Sequence, residues 1–197
     1  KILNSMDETL KEADTPIITG DTKVLKSGEL DGVIVNTAGI GISERPISDS
    51  GSCPGDKIII NGTIGDHGMA LMQHREGLTF QSRLVSDVAP LNGIISKILS
   101  MEGVNAMKDP TRGGLAESLN EMAEKSGTGI LIYEEKIPIK EETKGIADLI
   151  GISPYEVANE GKVVMAVRKN RADEVLSILK SDPLGREAAI IGSVSNE

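Results

Sequence analysis

The 197-residue chain is poor in several residue types, and each scarcity excludes a class of protein. A single cysteine excludes an internal disulfide framework and a zinc site built from cysteines. Aromatic residues make up 2% of the chain and tryptophan is absent, so there are few faces on which nucleic-acid bases could stack. No apolar run approaches the roughly 20 residues of a membrane-spanning helix. The first residues do not resemble a secretion signal, and we expect a cytoplasmic protein.

Positive charge is also in short supply. The chain has 21 lysines and arginines against 30 aspartates and glutamates, for a net charge of −9. Nucleic-acid binding requires a basic surface, and anionic lipid attracts basic segments, so both kinds of partner are disfavoured. The length is sufficient for a buried core and fits one large domain or parts of two.

Hydrophobic periodicity predicts alternating helices and strands. Residues with helical spacing of apolar side chains lie at 1–13, 65–76, 88–101, 115–122, 141–150 and 171–179. Short apolar runs that predict strands lie at 16–19, 32–42, 56–61, 129–133, 162–167 and 188–194. This alternation predicts an α/β or α+β fold with helices packed on sheets.

A stretch rich in proline, serine and glycine, residues 46–55, separates two parts of this pattern. Flexible polar residues bounded by strands are typical of a linker. We therefore expect two domains, residues 1–46 and residues 47–197.

The first candidate site is Gly20-Asp21-Thr22-Lys23, directly after a predicted strand. The Asp21 carboxylate could supply oxygen to Mg²⁺, and the Lys23 ammonium could neutralise a terminal phosphate. The segment is not a Walker A loop, which needs more glycines and a lysine followed by serine or threonine. The alternative is a polar turn with a surface ion pair that contributes little.

The second candidate site is Asp109-Pro110-Thr111-Arg112-Gly113-Gly114, at the start of a predicted helix. Backbone N–H groups at a helix start, together with the Arg112 guanidinium, favour an anion. In the alternative reading, Asp109 or Thr111 is an ordinary N-cap, worth about 1 kcal/mol.

The third candidate site is Ala158-Asn159-Glu160-Gly161-Lys162, between a helix and a strand. Asn159 and Glu160 could be a positioned amide and a general base. The residue types are equally those of an ordinary turn, which composition alone favours.

The two histidines and the cysteine do not predict a site by themselves. His67 and His74 are seven residues apart, about 10 Å along a helix, too far to bind one zinc ion together. Cys53 lies in the linker, with no basic residue beside it in sequence to activate its thiol.

Taken together and in order, the motifs resemble the HypE family of hydrogenase maturation factors, within the PurM-like, AIR synthetase-related ATP-binding superfamily. The matching stretches are residues 20–24, 36–41, 65–68, 74–78, 86–92, 109–115 and 158–162. The most diagnostic of them is Asp109-Pro110-Thr111-Arg112-Gly113-Gly114-Leu115. The resemblance implies a PurM-like two-domain fold with mixed sheets, in which residues 1–46 are the end of the ATP-binding domain and residues 47–197 most of the second domain.

The resemblance also implies an activity. Members of the family use ATP and Mg²⁺ to dehydrate a carbamoyl group, carried on a C-terminal cysteine, to a thiocyanate. The cyanide then becomes a ligand of the iron in [NiFe]-hydrogenase. The implied partners are a second copy of the protein, the carbamoyl donor HypF and the acceptor complex of HypC and HypD.

The resemblance assigns roles to individual residues. Lys23 and Glu160 are the implied catalytic residues, with Glu160 as the base, held by Asn159 and Lys162. Asp21 is the implied metal ligand. The residues implied in nucleotide binding are Asp21, Thr22, Asp109, Thr111, Arg112, Gly113, Gly114 and Asn159.

Members of the family have about a hundred further residues before this region and a cysteine-ended tail after it. We therefore expect residues 1–197 to be a truncated piece of such an enzyme, inactive alone. Two alternatives remain open. One is another AIR synthetase-related ATP-dependent enzyme, and the other is a non-catalytic module for dimerisation and docking of partners.

Overall fold

A computed structural model describes residues 1–75 and 84–196 of the chain. The chain divides into two compact units, Lys1–Pro46 and Ile47–Glu197. Among the described residues, no helix has the length and apolar character needed to cross a membrane.

The first unit contains one regular element, helix α1 (Ile2–Glu12). An ion pair between Lys11 and Asp7, one helical turn apart, lies on its surface. The strands predicted at residues 16–19 and 32–42 are wrong, because the structure has no strand there. A strand needs a hydrogen-bonded neighbour, and among the described residues no other segment pairs with this one. Its apolar side chains are exposed, as Ile18 and Ile40 illustrate.

The second unit is built on a five-stranded sheet with the strand order β2-β4-β1-β5-β3. Its strands are β1 (Lys57–Ile60), β2 (Val104–Lys108), β3 (Gly129–Ile132), β4 (Val164–Val167) and β5 (Ala189–Ser195). All four pairings are antiparallel, where the resemblance implied mixed sheets. The central pairing aligns Ile59 with Met165.

Among the residues that the structure describes, the second unit has five α-helices. They are α2 (Asp66–Arg75), α3 (Asn92–Leu99), α4 (Gly114–Ser126), α5 (Glu141–Ile150) and α6 (Ala172–Lys180). Successive side chains of a strand point to opposite faces of the sheet, so β1 contributes to two cores. Ile58 and Ile60 pack with apolar residues of α4, whereas Ile59 packs with apolar residues of α3 and α6.

A third, smaller core joins α2 and α5. Met69 of α2 packs with Ile146 and Ala147 of α5 and with Val157, which precedes the third candidate site. This packing fixes the start of α2 close to residues 158–162, so the fold itself brings two of the predicted motifs together.

Most predicted elements of the second unit agree with the structure, and the differences have local causes. Helix α3 begins at Asn92 rather than at residue 88, two residues after Pro90, and the residue before a proline avoids helical geometry. Strand β2 was not predicted, because its sequence, Val-Asn-Ala-Met-Lys, has only one β-branched residue. The last residue predicted for the helix that begins near Gly65 is Glu76, which lies outside the described residues.

Candidate functional site

Four predicted motifs meet in the second unit, at one end of α2 and α4. The Gly68 N–H donates to the Ala158 carbonyl at 3.0 Å, which joins the start of α2 to the third candidate site. The Asn159 N–H donates to the Pro110 carbonyl at 3.2 Å, which joins that segment to the loop before α4. The Glu160 N–H donates to Asp87 Oδ1 at 3.1 Å, which adds the fourth motif.

Asn159 is the side chain that ties these segments together, and it is 1% exposed. Its Oδ1 accepts from the Gly65 N–H at 2.7 Å. Its Nδ2 donates to the carbonyls of Pro110 and Val157 at 3.2 and 3.1 Å. The amide is therefore engaged with the backbone, and Asn159 shapes the site rather than facing into it.

The loop before α4 is held by tight backbone packing. Gly113 and Gly114 have φ angles of +62° and +64°, which favour glycine. A Cβ atom on Gly114 would collide with the Tyr155 carbonyl. On the inner side of the loop, the Ser118 hydroxyl bonds the carbonyls of Asp109 and Gly114. The loop is thus fixed against the protein from behind.

The outer side of the same loop is open. Asp109, Arg112 and Gly113 are exposed and Thr111 is half-buried. The capping residue of α4 is Gly113, and no side chain caps the helix, so neither Asp109 nor Thr111 is the ordinary N-cap of the alternative reading. A helix start of this kind, next to the Arg112 guanidinium, has the electrostatics of an anion site.

The backbone of Glu160 is held in place by the buried ion pair between Asp87 and Lys162. Asp87 Oδ2 lies 2.9 Å from Lys162 Nζ, with 3% and 9% of the two side chains exposed. Lys162 therefore holds Glu160 indirectly, through the carboxylate that accepts the Glu160 N–H. A Cβ atom on Gly161 would collide with the backbone carbonyl of Asp87, so position 161 accommodates only glycine. The Glu160 side chain itself is 37% exposed.

The imidazole of His67 faces the side-chain carboxylate of Glu160. Its Nε2 lies 3.9 Å from Glu160 Oε1, and its Nδ1 is 2.8 Å from the Ser86 hydroxyl. No local pattern in the sequence connects His67 with Glu160, because 93 positions separate the two residues. Asp87 and Ser86 also had no signal of their own and were noted only as part of the family resemblance.

Asp66, at the start of α2, has a structural role, because its carboxylate is bound by neighbouring side chains. Its carboxylate is fully buried and accepts hydrogen bonds from the hydroxyls of Thr63 and Thr143 at 2.6 and 2.7 Å. Lys140 Nζ lies 2.6 Å from it. With its negative charge already at this helix start, a phosphate is not favoured there.

The predicted site residues of the first unit are accessible. Asp21, Thr22 and Lys23 are exposed, and the Thr22 N–H donates to Asp21 Oδ1 at 2.7 Å. No group of three or more metal-binding side chains occurs among residues 1–75 and 84–196. One carboxylate such as Asp21 is still compatible with Mg²⁺, which often takes one or two carboxylates together with water and phosphate oxygens.

Ion pairs and burial shift several pKa values in the second unit. An ion pair with Lys125 lowers the pKa of Asp49, and one with Lys97 lowers the pKa of Asp182. Burial, followed by the hydrogen bond to Glu134, raises the pKa of Tyr155. These groups stabilise the unit around the site.

Comparison with known proteins identifies the family. The model of the family described as "AIR synthase related protein, C-terminal domain" matches residues 53–197. The chain belongs to this family. A putative hydrogenase expression/formation protein of Methanocaldococcus jannaschii is 54% identical over 201 residues, covering 100% of this chain and 59% of the relative. A carbamoyl dehydratase HypE of Rhizobium leguminosarum bv. viciae is 46% identical over 198 residues, covering 98% and 57%.

Solved structures of the family agree. HypE in a HypE–HypF complex superposes with a TM-score of 0.91 at 44% identity, covering 100% of this chain and 65% of the other. HypE in complex with ATP superposes with a TM-score of 0.89 at 35% identity, covering 99% and 59%. The predicted resemblance to HypE and the predicted fold class are thus confirmed. The chain spans between half and two thirds of the length of these family members.

Proposed function

We propose that this chain acts as part of a HypE-type carbamoyl dehydratase. The substrate is a carboxamide carried on a cysteine thiol, and the product is a thiocyanate. The observation that carries the proposal is the convergence of Glu160 with the Asp109–Gly114 loop, in a chain 46% identical to a carbamoyl dehydratase HypE. An acid–base group beside an anion site is what an ATP-driven dehydration needs.

ATP supplies a phosphoryl group that converts the carboxamide oxygen into phosphate, a good leaving group. Lys23 neutralises charge on the terminal phosphate, and Asp21 contributes a carboxylate oxygen to Mg²⁺. Thr22 assists through its hydroxyl or its backbone. The exposure of all three residues supports this assignment, because a nucleotide can reach them.

The loop before α4 receives negative charge in the second unit. Arg112, Thr111 and the backbone of Gly113 and Gly114 offer donors to an anionic group. Asp109, at the start of this exposed loop, lies next to these donors in the chain and is part of the proposed nucleotide-binding segment. Asn159 binds no ligand directly in this scheme and holds the loop in register with Glu160.

Glu160 is the base. One N–H proton of the carboxamide is released to solvent when its oxygen is phosphorylated. As the C–O bond then breaks, phosphate leaves and the nitrile forms, and the Glu160 carboxylate accepts the second proton from the nitrogen. Its partial exposure leaves it accessible to a substrate, and its fixed backbone limits the positions it can take. A well-placed general base contributes about 10²- to 10⁴-fold in rate.

We also propose the partners of the family for this chain. A HypE–HypF complex is among the structures it resembles, which supports a HypF-type protein as the carbamoyl donor. A complex of HypC and HypD as the cyanide acceptor and a homodimeric state follow from the family resemblance.

The test uses the full-length gene product, S-carbamoylated on its cysteine and incubated with Mg-ATP. Intact-mass spectrometry should show the loss of one water, dependent on ATP. Glu160→Gln should slow this loss about 10²- to 10⁴-fold, and Lys23→Ala should abolish it. Glu187→Gln, at an exposed position outside the site, is the control and should leave the rate unchanged. Water loss at the normal rate in Glu160→Gln would overturn the assignment.

A further inference from the structure

Three side chains form a continuous line at the candidate site, and the proposed reaction has not used two of them. Ser86 Oγ lies 2.8 Å from His67 Nδ1, and His67 Nε2 lies 3.9 Å from Glu160 Oε1. The His67 side chain is 24% exposed, so it is largely enclosed by the protein. His67 occupies the second position of α2, an element anchored at its start by Asp66 and Asn159.

The hydrogen bond between Ser86 and His67 Nδ1 orients the imidazole ring, and Nε2 faces Glu160. The Ser86 oxygen already accepts the Val88 N–H at 3.2 Å. The Ser86 hydroxyl can in addition donate its proton to His67 Nδ1, which lies 2.8 Å away. With Nδ1 accepting, a neutral imidazole carries its proton on Nε2, the nitrogen that faces Glu160.

We propose that His67 is the positioning residue for the Glu160 carboxylate and that Ser86 sets the tautomer of the His67 imidazole. The inference rests on the proposed function, in which Glu160 is the base. The His67 Nε2–H directs one carboxylate oxygen and leaves the other free for the substrate. In the transfer itself, an N–H bond of the carboxamide breaks and an O–H bond forms on Glu160, while the imidazole keeps its proton.

The 3.9 Å separation is longer than a hydrogen bond and marks an open arrangement. Catalytic hydrogen bonds in proteins without ligand are commonly long and shorten when the substrate binds. The Glu160 backbone is held by Asp87, and the Glu160 side chain is 37% exposed. The imidazole then selects one carboxylate orientation from those that a partly exposed side chain can adopt.

Substitutions that differ only in reach test the role of His67. In His67→Gln the amide nitrogen can occupy the position of Nε2, whereas in His67→Asn it reaches only as far as Nδ1. In the full-length, S-carbamoylated protein we expect His67→Asn to lower kcat for ATP-dependent water loss about tenfold or more, with KM for ATP unchanged, because misplacing a catalytic group costs up to about 10²-fold. His67→Gln should recover most of the rate.

Ser86 provides a second, independent pair. Ser86→Ala removes the hydroxyl that fixes the tautomer and should lower kcat, whereas Ser86→Thr keeps a hydroxyl and should retain it. Thermal unfolding of each variant separates loss of fold from loss of positioning. Equal rates in His67→Asn and His67→Gln, both close to the unsubstituted protein, would overturn the role of His67 while leaving Glu160 as the base. A normal rate in Glu160→Gln would overturn the proposed function instead.

Discussion

The buried carboxylate of Asp66 allows a sharp prediction about stability. Asp66 is fully buried and lies 2.6 Å from Lys140 Nζ, whose side chain is 43% exposed. Lys140→Met keeps the length and apolar character of the side chain but removes the positive charge. The substitution leaves a buried carboxylate that still accepts hydrogen bonds from the hydroxyls of Thr63 and Thr143.

The magnitude follows from how unequally the two partners are buried. Exposed ion pairs contribute up to about 1 kcal/mol, whereas removing one partner of a buried pair costs about 3–5 kcal/mol. Here the carboxylate is buried and the ammonium reaches solvent, and two hydroxyls still donate to the carboxylate. We therefore expect Lys140→Met to lower the free energy of unfolding by about 2–3 kcal/mol.

Urea denaturation at neutral pH measures this change. Lys144→Met is the matched control, because Lys144 pairs on the surface with Glu141, which is 87% exposed, and should change stability little. The double variant Asp66→Asn/Lys140→Met should be more stable than Lys140→Met alone, because no uncompensated charge is then buried. A cost below about 1 kcal/mol for Lys140→Met, or no recovery in the double variant, would refute the reasoning.

Three further predictions concern the second unit. Gly161→Ala should destabilise this unit by about 1–3 kcal/mol, because the added Cβ meets the backbone of Asp87. Gly145→Ala, in α5, should stabilise the unit by about 0.5–1 kcal/mol, because there is open space around Gly145. Similar unfolding midpoints for the two variants would contradict this prediction. Asn159→Ala should lower the free energy of unfolding by about 2–4 kcal/mol, because it leaves buried backbone groups unpaired. The same substitution should weaken ATP binding by the full-length protein, and an unchanged affinity in calorimetry would contradict this. The lowered pKa of Asp182 contributes stability that is present above pH 3.8 and is lost as the pH falls through the lower folded value. Acid unfolding of Asp182→Asn should therefore be less steep below that pH, and an unchanged acid limb would count against the Lys97 ion pair.

The sequence predicted the second unit well and the first unit poorly. In β1, Lys-Ile-Ile-Ile is apolar enough to identify a buried strand without knowing its neighbours. In residues 16–42 the same kind of apolar residues occurs without a partner strand among the described residues, so propensity did not become structure.

The candidate site was predictable in its parts but not in its connections. Gly113, Gly114, Arg112 and Glu160 could be recognised from the sequence, because each lies in a short segment where glycines and charged residues occur side by side. The role of Asn159 in joining three segments and the approach of His67 to Glu160 depend on packing between α2 and α5, which no local pattern records.

The hydrogen bonds that assemble the site also determine when it can form during folding. Gly65 and Asn159 are 94 positions apart, and Asp87 and Glu160 are 73 apart. Contacts between distant positions lower the folding rate, because loop-closure entropy is lost when they form. The complete site requires both contacts, and we expect ligand binding to appear together with cooperative folding of the second unit. A substitution far from the site that lowers stability should then reduce binding through the fraction of folded molecules, with the affinity of each folded molecule unchanged.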